Sequence, residues 1–154
     1  MPPLIDRARA RRVIIVGSGF AGVAMAVALR MRGIDDFVIL ERAADLGGTW
    51  RDNAYPGCAC DVESVLYSLS FAPNPEWSRR FSPQEEIWKY LRRVAREFGI
   101  EPFIRYHENV IGAAWDDTTK RWTVTSTSGE WTSHALVLAN GALSDPRVPK
   151  LAGL

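Results

Sequence analysis

The residues most able to do chemistry sit at a few telling spacings. Val13-Ile14-Ile15-Val16 runs directly into Gly17-Ser18-Gly19-Phe20-Ala21-Gly22, and a helix-like stretch over 23–32 follows at once. Strand, tight turn and helix in this order suit the diphosphate of a dinucleotide. Gly17 turns the chain off the strand, Gly19 lets backbone approach the phosphates, and Gly22 lets the helix lie against the strand. The N–H groups freed at the helix start then face negative charge. Glu41 closes a second apolar run, Phe37-Val38-Ile39-Leu40, 19 positions after Gly22. That is close to the spacing of about 20 at which a carboxylate accepts hydrogen bonds from a ribose. Its charge repels a 2′-phosphate, so the pattern favours FAD or NAD over NADP.

Between 42 and 61 regular periodicity stops, and Gly47, Gly48, Trp50, Tyr55, Pro56 and Gly57 gather there. Long irregular stretches in compact domains usually bind something. Gly47-Gly48 permits a close backbone approach to a ligand, and Trp50 and Tyr55 offer flat apolar surface for a ring system. The competing reading is a surface loop whose aromatics anchor it to the core. Cys58 and Cys60, one residue apart, are poorly spaced for a mutual disulfide. A reducing, cytoplasmic setting fits them. His107 and His134 lie far from this pair and from each other, so no metal site is expected, and each histidine reads as a surface residue.

The elements that must position these groups follow from pattern. Residues 1–11 read as a flexible lead-in, and the basic patch of Arg7, Arg9, Arg11 and Arg12 reads as part of a solvated tail before the first strand. A strand over 12–16, a helix over 20–32 ended by Gly33, and a strand over 37–40 make one βαβ unit. Residues 61–71 are ambiguous between helix and extended chain, and Ala72-Pro73-Asn74-Pro75 is a break. Ser82, Pro83 and Glu85 predict a capped helix start with a Ser-x-x-Glu box. Ile87, Tyr90, Leu91, Val94 and Phe98 keep one apolar stripe on that helix, Lys89, Arg92, Arg93 and Arg96 read as its solvated face, and Gly99 stops it. A third parallel strand is expected over 103–106. Short alternating segments over 109–115, 121–127 and 130–133 predict an antiparallel meander covering the sheet. The apolar run over 135–139 reads as a fully buried strand, and Asn140-Gly141 turns at its end into the same crevice as Gly17 and Glu41. The expected fold is α/β, one Rossmann-like domain over 12–154, three-layered, with a parallel sheet and a small antiparallel β-meander.

The whole chain supports a globular protein. It has 154 residues, 47% hydrophobic and 24% charged, with a formal net charge of +1. No broad attraction to nucleic acid or acidic lipid follows from that charge. The apolar run over 13–29 is shorter than a membrane span of about 20 residues and is broken by three glycines.

Taken together, Gly17-Ser18-Gly19-Phe20-Ala21-Gly22, Glu41-Arg42, Gly47-Gly48-Thr49-Trp50, Tyr55-Pro56-Gly57, Cys60-Asp61-Val62-Glu63-Ser64 and Gly141-Ala142-Leu143-Ser144 resemble class B flavoprotein monooxygenases. The likeness is greatest to the Baeyer–Villiger monooxygenases and next to the flavin-containing monooxygenases. It implies FAD in the first glycine motif, with Ser18, Phe20 and Ala21 at the pyrophosphate turn and Glu41-Arg42 beside the adenosine ribose. It implies Thr49 and Trp50 on the flavin side, with Gly48 and Tyr55 also among the cofactor-binding residues. Asp61 matches an aspartate that helps orient a catalytic arginine, Tyr67 a tyrosine near the cofactor, and Val110 a backbone contact to adenine. Asn140-Gly141 stands where the family has Thr-Gly. The reaction implied is oxidation of a ketone to an ester, or of a sulfide, by way of a peroxyflavin, with NADPH and O2 consumed. One glycine motif is present where the family has two, so an NADPH domain and the catalytic arginine are expected outside this chain, which alone should be inactive. A stand-alone nucleotide-binding module and an NAD-dependent dehydrogenase domain are the alternative readings.

Overall fold

The computed structural model describes residues 7–143, 145–151 and 153. Residues 1–6 of the expected lead-in and Ser144 of the last quoted motif lie outside them. Six strands form one sheet in the order β3-β2-β1-β6-β5-β4. β1 (Ala10–Val16) is central, parallel to β2 (Phe37–Leu40) on one side and to β6 (Gly129–Leu138) on the other. β3 (Ile104–Arg105) adds in parallel beyond β2. β4 (Val110–Asp116) and β5 (Arg121–Ser126) join β6 as an antiparallel meander.

Alternation along β1 and β2 explains the layers. Ile15 and Ile39 point to one face, where they meet Val23, Ala26 and Val27 of α1 (Phe20–Arg30) and Leu91 and Val94 of α3 (Gln84–Glu97). Ile14, Val38 and Leu40 point to the other, where Val124 of β5 and Trp131 of β6 cover them. Successive residues of a strand face opposite ways, so one β-branched run supplies both cores. The three layers expected from the sequence are therefore helices, parallel sheet and meander.

Several boundaries differ from expectation. Ala10 and Arg11, assigned to the lead-in, belong to β1 and pair with Thr132 and Ser133. Arg9 just before them stacks its guanidinium 5.3 Å from the Trp131 ring and donates to Ser128 Oγ at 3.0 Å, so the meander holds this stretch. α1 ends at Arg30, two residues short of expectation, where Ile34 N–H reaches back to Leu29 O and Gly33 takes φ +71°. The Ser82–Glu85 capping box does not form. Pro83 is the N-cap, Ser82 is buried against the Ser64 hydroxyl at 2.7 Å, and Glu85 pairs with Lys89. With its hydroxyl turned to Ser64, Ser82 is not available to cap α3. Ile87, Tyr90, Leu91 and Val94 of the α3 stripe are buried as expected, with Ala95 added, while Phe98 is the C-cap and only partly buried.

The runs over 130–133 and 135–138 form a single ten-residue strand, β6, with Ala139 just past its end. It is not fully buried, since Leu138 is 70% exposed. β5 pairs only with its first half, so the second half has β1 alone beside it. The irregular stretch over 42–61 contains one turn of helix, α2 (Thr49–Asp52), and a 3-10 turn spans Ser64–Leu66 within the ambiguous segment. No helix among the described residues is long and apolar enough to cross a membrane.

Candidate nucleotide-binding site

A cleft of about 960 Å³ opens at the carboxyl ends of β1, β2 and β6, against α2 and the loops around it. This is where ligands gather on parallel sheets, and its size is near the top of the ~300–1,000 Å³ usual for such sites. The bend after β1 forms its floor. Gly17 donates its N–H to Leu40 O at 2.9 Å, Ala139 N–H donates to Val16 O at 2.9 Å, and Gly17 takes φ +96°. A Cβ there would lie 2.7 Å from Ala139 O. Gly22 does not line the cleft; it packs behind the bend, where a Cβ would lie 1.9 Å from Gly17 O. α1 begins after Gly19 with no side-chain cap and no acidic residue in its first turn. Phe20 and Ala21 line the cleft at that uncapped end, so peptide N–H groups and the positive end of the helix dipole meet there. Those features fit the diphosphate of a dinucleotide cofactor.

The second glycine pair supports this bend. Gly47 donates its N–H to Ser18 O at 3.1 Å, and a Cβ on Gly48 would lie 3.3 Å from Gly19 Cα. Gly48 has φ +54°, and a Cβ on Gly47 would meet the Trp88 ring at 2.7 Å. The sequence suggested that Gly47-Gly48 approach a ligand. In the structure the contacts that demand glycine here are to the first glycine turn and to α3.

Trp50 is 7% exposed and serves as an anchor. Its indole donates to the Tyr67 hydroxyl at 3.0 Å, with the rings edge to face at 5.5 Å, and Phe20 meets Tyr67 at 5.1 Å. Burial pushes the Tyr67 phenol above its ordinary pKa, against the lowering effect of the Trp50 hydrogen bond. Tyr55, by contrast, is 62% exposed at the rim. Thr49 and Asp61 line the cleft near this aromatic wall. Asp61 is exposed on a segment held to the start of α3 through Cys60 N–H to Ser82 O at 2.9 Å, Gln84 N–H to Cys58 O at 2.9 Å and Ser64 N–H to Arg80 O at 2.8 Å. Cys58 and Cys60 are both free thiols. Val110, Asn140 and Gly141 line the opposite part of the cleft, and Arg42 pairs with Asp145 at 2.7 Å at its mouth. His107 and His134 are exposed and outside it.

Glu41 is 4% exposed and engaged on every side. Oε2 accepts the Ser18 amide at 2.9 Å and the Ser18 hydroxyl at 2.6 Å; Oε1 accepts the Ala43 amide at 2.9 Å and Arg51 Nη1 at 3.1 Å. Burial alone would raise its pKa. The Ser18 hydroxyl, the Ala43 and Ser18 amides and Arg51 outweigh burial and hold it below the ordinary 4.5. Ser18 is itself fully buried, its side chain spent on Glu41. Arg51 was missed in the sequence. It is the only basic residue between Arg42 and Arg79, set among Asp45, Asp52, Asp61 and Glu63, and that isolation was the available signal.

The profile of the pyridine nucleotide-disulphide oxidoreductases matches residues 14–154. The chain belongs to that family. It is 56% identical over 143 residues to a Baeyer–Villiger monooxygenase of Streptomyces coelicolor, covering 93% of this chain and 28% of that protein. Among solved structures, oxidized steroid monooxygenase bound to NADP superposes with a TM-score of 0.86 at 38% identity, over 94% of this chain and 29% of that one. A complex of OTEMO with FAD and NADP gives 0.86 at 30% identity, over 94% and 28%. The resemblance to class B flavoprotein monooxygenases read from the motifs therefore holds along nearly the whole chain, which spans under a third of the length of these relatives.

Proposed function

We propose that the cleft binds FAD and that the chain, over 12–154, is the FAD-binding portion of an NADPH- and O2-dependent monooxygenase of the Baeyer–Villiger type. The uncapped start of α1, set on the Gly17–Gly19 bend at the carboxyl ends of β1 and β6, carries this reading. The diphosphate lies on the amides at Phe20 and Ala21, with Gly17, Ser18 and Gly19 forming the bend and Gly22 packed behind it. Glu41 and Arg42 flank the adenosine ribose, and Val110 offers backbone to the adenine. Gly48, Thr49, Trp50, Tyr55 and Tyr67 line the flavin end, with Asn140-Gly141 closing the opposite rim. Asp61, on its pinned segment, serves as a positioning carboxylate beside the reacting end. Once bound, the flavin would take hydride from NADPH and supply the oxygen-transfer chemistry. The chain's own residues bind it, orient it and keep water from its apolar face through the Phe20–Trp50–Tyr67 wall. A small ketone or sulfide is the proposed substrate class, and the cytoplasm, suited to two free thiols, the proposed location.

Purified chain titrated with FAD and, separately, with NADH tests this. Flavin fluorescence quenching at micromolar FAD with no NADH binding is expected. A chain that binds NADH and leaves flavin untouched would instead be the dehydrogenase domain.

A further inference from the structure

Glu41 does not stand alone at the end of β2. The Arg51 guanidinium reaches three groups: Glu41 Oε1 at 3.1 Å, the Asp45 carbonyl at 2.5 Å and the carboxylate of its neighbour Asp52 at 2.8 Å. Its side chain is only 13% exposed, and that of Glu41 5%. We propose that Arg51 is a positioning residue for the dinucleotide turn: it fixes the Glu41 carboxylate, and Glu41 in turn fixes Ser18 at the bend beneath the diphosphate. This rests on the FAD reading above.

The chain of contacts explains why a cation is needed here. Ser18 presents two donors, its N–H and its hydroxyl, to one oxygen of Glu41. A neutral carboxylic acid cannot satisfy that arrangement, because its own proton must find an acceptor among groups that are nearly all donors. Glu41 must therefore stay ionised while buried, which is costly without a counter-charge. Arg51 supplies it. The other charged or titratable groups around Glu41 do not. Asp52 and Asp45 carry the wrong sign and pair with Arg51 and Arg92, and Arg42 pairs with Asp145. Arg105 turns back to Pro102 O at 3.0 Å, Glu108 faces Ser126, and Tyr106 is neutral at physiological pH. Ser18 also accepts from Gly47 through its carbonyl at 3.1 Å, so a slip at Glu41 would pass to both glycine turns.

The test is a comparison of Arg51→Met, Arg51→Lys, Glu41→Gln and the double variant Arg51→Met/Glu41→Gln in the 154-residue chain, by FAD titration and thermal melting from pH 4 to 8. Arg51→Met should weaken FAD binding about tenfold at neutral pH, the low end for removing a residue that orients a ligand-holding group. Glu41 then protonates more readily, so the acid limit of both FAD retention and stability should move up. Arg51→Lys should restore part of each effect. The double variant, with no buried charge left unpaired, should melt above Arg51→Met and bind FAD no worse than Glu41→Gln. Equal FAD affinity and an unmoved acid limit in Arg51→Met overturn the proposal, as does a double variant whose losses simply add. Melting profiles need no flavin, so a parent chain that fails to bind FAD sinks the functional reading while the Arg51–Glu41 linkage is still judged on its own.

Discussion

Gly22→Ala separates local preference from packing at the bend. Gly22 lies in the first turn of α1 with helical backbone, so alanine should on propensity alone stabilise the helix by about 0.8–1.0 kcal/mol. The structure predicts the reverse. The new Cβ would lie 1.9 Å from Gly17 O, and the helix must retreat by about 1 Å before that contact is tolerable. Gly17 cannot give way easily, because its N–H is held by Leu40 O at 2.9 Å and the Ala139 carbonyl walls it in. Overpacking of this kind costs about 1–3 kcal/mol, and a rigid backbone wall places it at the upper end. Set against the propensity gain, the net loss should be about 2 kcal/mol, or about 4–8 °C in Tm for a domain of this size. FAD binding should fall with it, because the displaced amides are those proposed to meet the diphosphate. Gly33→Ala is the control: it has φ +71° with nothing within 4 Å of a Cβ, so it should cost about 1 kcal/mol in strain and leave FAD affinity alone. Differential scanning calorimetry with parallel FAD titration reads both. A Gly22→Ala chain that melts at or above the parent temperature and holds FAD equally well would refute the close-packing argument.

Two further outcomes are expected elsewhere. Tyr67→Phe removes the only acceptor shown for the Trp50 indole N–H, in a residue 7% exposed, and should cost about 1–3 kcal/mol with a change in tryptophan fluorescence; an unchanged Tm would argue that water replaces the phenol. Ser64→Ala leaves the Ser82 amide and hydroxyl unpaired in a buried site, so the denaturant midpoint should fall by the equivalent of about 1–3 kcal/mol and the segment carrying Asp61 should become more protease-sensitive, while no change in either would show that the Ser64–Ser82 contact does not hold that segment.

Much of the site could be read from spacing because its parts are local. The strand, the glycine bend and the helix follow one another between Ala10 and Arg30, and the placement of Glu41 follows from the length of one crossover. What escaped were pairings between distant segments. Nothing in the order of residues says that Gly47 must clear the Trp88 ring, or that Ser82 would leave its helix cap for Ser64. The strand over 135–139 looked buried because an apolar run reports composition, while exposure of Leu138 depends on which neighbours pair beside β6.

By itself the sequence determined the bend and the uncapped helix start, because steric limits on φ and the loss of hydrogen-bond partners at a helix end act within a few residues. It determined the alternation that gives the sheet two cores for the same reason. Only the tertiary structure decided that Arg51 neutralises Glu41, that the two glycine turns lie back to back, and that the meander curls over Ile14, Val38 and Leu40. Those contacts join residues whose separation along the chain carries no periodic signal. They exist only once burial of apolar surface has brought the segments together.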